Sequence, residues 1–158
     1  MIEQIDFNIF SKRQRVNFIN SLSGFKSANL IATINSNGES NLAIISSVFH
    51  VGADPALLGF IIRPDVVPRD TLTNIRESKI CTINHVNRNI TLAAHHTSAR
   101  YDANISEFSK ANLTEEYIGS FEAPYVKESK IKYSASLTQE ILVQENKTHI
   151  LIMKINEV

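Results

Sequence analysis

The chain is poor in the residues that build several common kinds of functional site. Cys81 is the single cysteine among 158 residues, so no disulfide can form within the chain. It lies in the apolar run 80–86, where a buried and unreactive thiol is expected. The five glycines are scattered far apart, which excludes the glycine-rich turn of a nicotinamide-binding Rossmann fold.

Net charge and long apolar runs are also absent. The 16 Lys and Arg residues balance 16 Asp and Glu residues, which gives a formal net charge of zero. Long-range attraction to nucleic acid or to an anionic membrane is therefore not expected, although a local basic pocket is still allowed. No run of apolar residues is long enough for a membrane span, and the N-terminus lacks the pattern of a secretory signal. The sequence predicts a soluble, cytoplasmic protein that binds a small molecule or another protein.

Side-chain patterns of catalysis and metal binding are equally sparse. His95 and His96 are adjacent, so they cannot share one helix face as a spaced pair of metal ligands does. Ser46 and Ser47 lack the glycine-flanked turn that a serine hydrolase needs. The sequence therefore predicts neither a metal site nor acyl transfer.

Length and hydrophobic patterning predict one domain over residues 1–158, with a helix near the N-terminus at about 11–23. Ser11 is the expected N-terminal cap of this helix. Val16, Ile19 and Leu22 recur at three-residue spacing and are expected to pack inward.

The rest of the chain reads mainly as β-strands joined by short turns. Strands are predicted at residues 28–34, 40–51, 56–62, 79–86, 131–143 and 148–158, with short helices after residues 70, 90 and 106. The first three strands are expected to form a meander. This pattern favours a mainly β fold with short helices, a closed or partly closed antiparallel β-barrel.

The stretch 41–77 combines a polar-ended strand with a possible anion site. Asp70 or Thr71 is the predicted cap of a helix. The first turn of a helix leaves backbone N–H groups unpaired, and these stabilise a phosphate or carboxylate. Arg69 precedes the cap and Arg63 ends the strand before it, so both guanidinium groups could reach the same anion. The alternative is a capped surface helix with a solvated arginine.

Several motifs occur along the chain in a fixed order. They are N-x-A-x-x-S at 41–46, Asp54-Pro55, R-P-D at 63–65 and R-D-T-x-x-N-I-x-E at 69–77. T-S-A-x-Y at 97–101, E-F at 107–108 and A-N-L-T at 111–114 follow. This ordered set, which spans about residues 29–158, resembles the flavin reductase-like, FMN-binding split-barrel family.

The resemblance implies a split β-barrel that forms a homodimer and holds FMN in a groove between the two copies. The flavin ring would lie along strand 41–47, whose backbone groups meet its polar edge, and the phosphate would be bound where strand 41–47 ends and the next helix begins. The implied cofactor-binding residues are Asn41, Ala43, Ile44, Ile45, Ser46, Ser47, Arg63, Arg69, Asp70 and Thr71. The chain departs from the family at Ile44, where many relatives have proline, and at Ser47, which replaces an aromatic residue.

The resemblance also implies an oxidoreductase that transfers hydride from NAD(P)H to the flavin. Such a reaction needs no protein nucleophile, because the cofactor carries the chemistry and the protein supplies position and exclusion of water. No catalytic side chain is therefore predicted. Two alternatives stay open: a flavin-binding electron carrier or sensor without turnover, and a cofactor-free or haem-binding barrel in which the helix start is only structural.

Overall fold

Antiparallel strands dominate the computed structural model of the chain, which describes residues 4–99, 101 and 105–158. The strands are β1 (Asn29–Ile34), β2 (Ser40–Ile45), β3 (Phe49–Ala53), β4 (Ala56–Ile62), β5 (Ile80–His85), β6 (Glu115–Glu116), β7 (Tyr125–Val126), β8 (Lys132–Val143) and β9 (Thr148–Glu157). The helices are α1 (Lys12–Ser21), α2 (Asp70–Ser78), α3 (Thr91–His96) and α4 (Glu107–Ala111). The predicted mainly β class with short helices is confirmed. Arg100, within the motif at 97–101, lies outside the described residues.

Seven strands form one sheet in the order β2-β1-β5-β8-β9-β4-β3, and all neighbours are antiparallel. Both pairings of the predicted meander are present, since β1 pairs with β2 and β3 pairs with β4, but its middle strand is not continuous. Residues 46–48 leave the ladder and divide the predicted strand 40–51 into β2 and β3. The two sides of β4 are already paired with β3 and β9, so β2 ends at the opposite edge of the sheet.

One side chain links the two separated parts of the sheet. The Ser47 hydroxyl accepts a hydrogen bond from the Ile61 N–H at 3.1 Å and donates one to the Ile61 carbonyl at 3.2 Å. It therefore takes the place of a strand neighbour between the end of β2 and β4. The barrel is closed at this point by a side chain rather than by a strand ladder.

Two cores hold the sheet, one against each face of β1. Because successive side chains of a strand point to opposite faces, Ile31 enters the first core while Leu30 and Ala32 enter the second. The first core contains Leu72 and Ile75 of α2, both at most 1% exposed. Burial of each contributes roughly 1.5–3 kcal/mol, so the start of α2 is firmly fixed against β1.

The N-terminal helix begins as its sequence predicts but does not pack as predicted. Ser11 caps α1 in a capping box with Gln14. The expected inward stripe is wrong, since Val16, Ile19 and Leu22 are 56%, 45% and 65% exposed. The described part of the chain does not bury the apolar side of this helix. We call the exposed set the N-terminal apolar face: Ile9, Val16, Ile19, Leu22 and Phe25.

Candidate functional site

The start of β2 and the first turn of α2 are joined by side-chain hydrogen bonds. The Asn41 amide donates to the Thr71 hydroxyl at 2.9 Å and to the Thr33 hydroxyl at 3.2 Å. The Asn74 amide donates to the same Thr33 hydroxyl at 3.0 Å. The structure therefore brings the predicted site residues Asn41 and Thr71 together, over β1.

Thr33 and Asn74 were missed by reasoning from the sequence. Both are buried, and both anchor the contact between β2 and α2. Asn74 could have been found from its spacing, because a residue three positions after Thr71 lies on the same face of a helix. Thr33 carries no such local signal.

The N-terminus of α2 has no side-chain cap. Its N-cap residue is Arg69, which makes no capping hydrogen bond. The predicted cap at Asp70 or Thr71 is wrong, because both residues already lie in the helix and the Thr71 hydroxyl faces Asn41. The N–H groups of the first turn, at the positive end of the helix dipole, are therefore not covered by a capping side chain. The exposed Asp70 carboxylate partly offsets that positive charge.

The two candidate arginines lie at the ends of segment 63–69, between β4 and α2. The Arg69 Nε donates to the Pro64 carbonyl at 3.4 Å. This bond leaves the terminal nitrogens of the guanidinium without a protein partner among the described residues. Arg63 directly follows the last residue of β4 and is exposed. Both side chains can therefore offer bidentate donors to an anion.

The two candidate serines differ in what they can still bind. A hydroxyl carries one hydrogen, and Ser47 donates its hydrogen to the Ile61 carbonyl. Ser47 cannot donate to a phosphate without losing that bond. Ser46 is exposed and makes no side-chain hydrogen bond with the described part of the chain. Ser46 is thus the available donor of the pair.

The outer edge of β2 presents backbone groups that no strand of the described chain pairs with. In an antiparallel ladder, residues alternate between facing the partner strand and facing away. The Leu42 N–H faces away from β1, because it donates to the Glu107 carboxylate at 3.1 Å. Ile44, two residues on, therefore presents its N–H and carbonyl at the same edge. Glu107 of α4 covers Leu42, whereas no described strand pairs with the edge at Ile44.

The side chains along β2 point alternately into the two cores. Ile44 packs against the second core and Ile45 against the first, and Ala43 shares the face of Ile45. Of these three predicted site residues, Ile44 offers its backbone groups to a ligand, because the N–H and carbonyl groups of Ala43 and Ile45 face β1. A proline at position 44 would have no N–H, so Ile44 gives this chain a donor that proline would not.

A cavity of about 170 Å³ lies beside the α2 start and is lined by acidic and amide side chains. Its carboxylates are Glu39, Asp70 and Glu107. Burial raises the pKa of Glu107 and the nearby charge of Asp70 adds to that effect, against the hydrogen bond from Leu42, which lowers it. The site is therefore electrostatically divided, with carboxylates in the cavity and arginines on segment 63–69.

The described residues offer little other chemistry. They contain no group of three or more His, Cys, Asp and Glu side chains placed to hold a metal ion. Burial raises the pKa of the Cys81 thiol far above its ordinary value, which keeps the thiolate nucleophile from forming. None of the described helices has the length and apolar character needed to cross a membrane.

Comparison with known proteins places these features in a family. A family model described as the flavin reductase like domain matches residues 22–158. A crystal structure from Shewanella frigidimarina NCIMB 400, classed as a flavin reductase with a split barrel domain, is 51% identical, with a TM-score of 0.92. The alignment covers 96% of this chain and 75% of that chain.

A more distant solved structure has the same fold, and a curated relative matches part of the sequence. Nitrilotriacetate monooxygenase component B from Bacillus cereus has a TM-score of 0.87 at 21% identity, over 98% of this chain and 79% of that chain. An uncharacterized protein of Aquifex aeolicus (strain VF5) is 27% identical over 117 residues, which is 73% of this chain and 60% of that protein. The chain thus spans about 60% of the length of this curated relative. The expected split β-barrel is confirmed, and the chain belongs to the flavin reductase like domain family.

Proposed function

We propose that this chain binds FMN and acts as a cytoplasmic flavin reductase-like oxidoreductase, with NAD(P)H as the hydride donor. The observation that carries the proposal is the hydrogen bond that joins Asn41 to Thr71, because it fixes an anion site and an open strand edge side by side. The anion site is the start of α2 with Arg69. The open edge begins at Ile44, roughly 10 Å along β2 at about 3.3 Å per residue.

The residues present fit a flavin mononucleotide at both ends. The uncapped N–H groups of α2 and the Arg69 guanidinium are donors, as a phosphate requires. The exposed Ser46 hydroxyl is a further donor two residues beyond Ile44, at the ring end of the site. Ile44 offers one backbone donor and one acceptor, which suits the polar edge of a flavin ring. Arg63 adds a second cation at the phosphate end. Asn41 and Thr71 are assigned to positioning, because their hydrogen bond to each other holds the two halves of the site together.

FMN is preferred over FAD because of the charge beside the α2 start. A second phosphate that extended into the adjoining cavity would meet Glu39, Asp70 and Glu107. Like charges brought together on binding cost affinity. The cavity favours an uncharged group with hydrogen-bond donors, whereas the arginines supply positive charge for one phosphate.

No catalytic side chain is assigned. The bound flavin would accept the hydride, which is chemistry that the cofactor supplies. The chain would bind the phosphate, orient the ring through the backbone at Ile44 and exclude water from its groove. The nicotinamide would bind against the flavin in the groove, since no separate dinucleotide fingerprint exists in the sequence.

We also propose that the chain works as a homodimer. The N-terminal apolar face is exposed, and so are Phe49, Val51 and Ile61 on the strands near Ser47. A second copy that covers these residues would also enclose a ligand at the open edge of β2. Stable interfaces bury about 1,200–2,000 Å² in total. Sedimentation velocity at micromolar concentration should detect a dimer, and a monomer under those conditions would contradict this part of the proposal.

The test of function uses protein purified with its natural content of cofactor. We expect a yellow protein that releases FMN on denaturation, identified against FAD by chromatography. Under anaerobic conditions NADH or NADPH should bleach the colour. A protein that stays yellow with both donors would instead be an electron carrier or sensor, and a protein that binds no flavin would contradict the proposal altogether.

Arg69→Ala tests the phosphate end of the site. Loss of a charge-assisted hydrogen bond is expected to weaken FMN binding by about 1–3 kcal/mol, measured by quenching of FMN fluorescence. Arg88→Ala is the matched control, because Arg88 is an exposed arginine on a different turn of the chain. If both variants bind FMN as the unsubstituted protein does, Arg69 does not contact the phosphate.

A further inference from the structure

Two carboxylates, an arginine and a histidine form a closed network next to segment 63–69. Arg76 donates to both oxygens of Glu140, at 2.6 and 3.0 Å, and to Asp65 at 3.4 Å. His149 Nδ1 lies 2.8 Å from the same Glu140 carboxylate. His149 Nε2 lies 3.6 Å from the other oxygen of Asp65. Each carboxylate therefore faces both Arg76 and the histidine.

The network connects four separate parts of the fold. Asp65 lies in segment 63–69, Arg76 in α2, Glu140 in β8 and His149 in β9. His149 is only 4% exposed, and its Nε2 has no hydrogen-bond partner among the described residues. The Asp65 carboxylate is the acidic group that faces this nitrogen. Asp65 therefore attaches the exposed segment to a buried point of the barrel.

Few other side-chain contacts restrain segment 63–69. Within the part of the chain that the structure describes, Arg69 bonds to Pro64 inside the segment itself. The contacts of Asp65 with Arg76 and His149 are the polar side-chain ties from the segment to other elements. Asp65 lies two residues after Arg63 and four before Arg69, so both candidate phosphate ligands depend on where it is held.

We propose that Asp65, held by Arg76 and His149, is a positioning residue that fixes segment 63–69 for binding the phosphate of FMN. This inference rests on the proposed function. Without the tie, the segment would sample more conformations, and ordering it on binding would cost conformational entropy. Asp65 acts through the arginines and does not itself touch the ligand.

Asp65→Asn tests the inference, because the amide keeps the shape of the side chain and removes its charge. We expect FMN to bind roughly 2- to 30-fold more weakly, whereas riboflavin, which lacks the phosphate, should bind with unchanged affinity. Glu145→Gln is the control for loss of one carboxylate, since Glu145 is exposed in the turn between β8 and β9. Asp65→Asn should weaken FMN binding less in the Arg69→Ala background than in the unsubstituted protein, because Arg63 is then the remaining arginine that Asp65 positions.

Hydrogen–deuterium exchange of the flavin-free protein gives a readout that needs no ligand. The peptide that spans residues 64–69, in which residues 65, 66, 67 and 69 carry the amide hydrogens, should exchange faster in Asp65→Asn than in Glu145→Gln. Unchanged exchange, unchanged FMN affinity, or an equal loss of FMN and riboflavin affinity would each overturn the inference. If the unsubstituted protein binds no flavin, the proposed function is wrong, and so is the role of Asp65 in phosphate binding. Hydrogen–deuterium exchange then decides by itself whether Asp65 holds segment 63–69.

Discussion

At the scale of single residues, Ser46 and Ser47 show how neighbouring identical side chains acquire different roles. The Ser47 hydroxyl hydrogen-bonds to both backbone groups of Ile61, whereas Ser46 is exposed. The sequence places both hydroxyls at the end of one predicted strand, so it could not predict that the two serines have different partners. The difference arises from the approach of β4, a contact that local patterns do not encode.

Replacement of each serine by alanine should therefore give opposite results. Ser47→Ala removes the partner of the Ile61 N–H and carbonyl, which is expected to lower the free energy of unfolding by about 0.5–1.5 kcal/mol, because Ile61 is exposed and water can replace the hydroxyl. Ser46→Ala should change stability by less than about 0.5 kcal/mol and weaken FMN binding. Urea denaturation and FMN titration of both variants measure the two effects. Equal stability losses would show that Ser47 does not close the split.

At the scale of elements, α2 illustrates how tertiary contacts override local signals. Its position and length could be predicted, because its apolar residues have helical spacing and face the first core. Its cap could not, because the Thr71 hydroxyl is drawn inward by the buried amide of Asn41. The helix therefore starts without a side-chain cap. The absence of a side-chain cap makes the helix start less stable, and it also leaves the first-turn N–H groups free to bind an anion.

Arg69→Ser should weaken FMN binding and stabilise the start of α2. A serine at the N-cap position can accept a hydrogen bond from the first turn, which typically contributes about 0.5–2 kcal/mol relative to alanine. We expect Arg69→Ser to unfold at higher urea concentration than Arg69→Ala. Both variants should bind FMN more weakly than the unsubstituted protein does. Equal stability of the two variants would mean that residue 69 is not positioned to cap the helix.

At the scale of the whole molecule, most strands could be predicted but their order could not. Turn residues and alternating side chains are local signals, and they predicted the bounds of β1, β4, β5, β8 and β9 to within about two residues. Pairing of β4 with β9 depends on contacts that are distant in the sequence, so the placement of β3 and β4 at the edge opposite β2 could not be predicted. The prediction that α1 packs its apolar side chains inward was wrong, because the described part of the chain does not bury them.

The pH dependence of stability should reflect both a carboxyl group with a lowered pKa, Glu140, and one with a raised pKa, Glu107. The hydrogen bond from Arg76 lowers the pKa of Glu140, so its contribution is present above its unfolded pKa and lost as pH falls through the folded value. Burial raises the pKa of Glu107, so its contribution is present at low pH and lost as pH rises. Glu107 thereby offsets part of the loss of stability in acid.

Glu107→Gln tests this balance, because the amide can still accept the hydrogen bond from Leu42. The fall in the free energy of unfolding between about pH 7 and about pH 4 should become steeper in the variant. Glu145→Gln, which removes an exposed charge, should leave the profile unchanged. Parallel profiles for Glu107→Gln and the unsubstituted protein would contradict a raised pKa at this carboxyl.

The unpaired edge of β2 has a consequence for how the chain behaves in concentrated solution. A strand edge with free N–H and carbonyl groups can recruit a strand from another molecule, and natural proteins often block such edges with charge or proline. The segment Ala43, Ile44, Ile45 carries neither. Whatever occupies this edge therefore also guards against aggregation, so cofactor loading should govern solubility and shelf life.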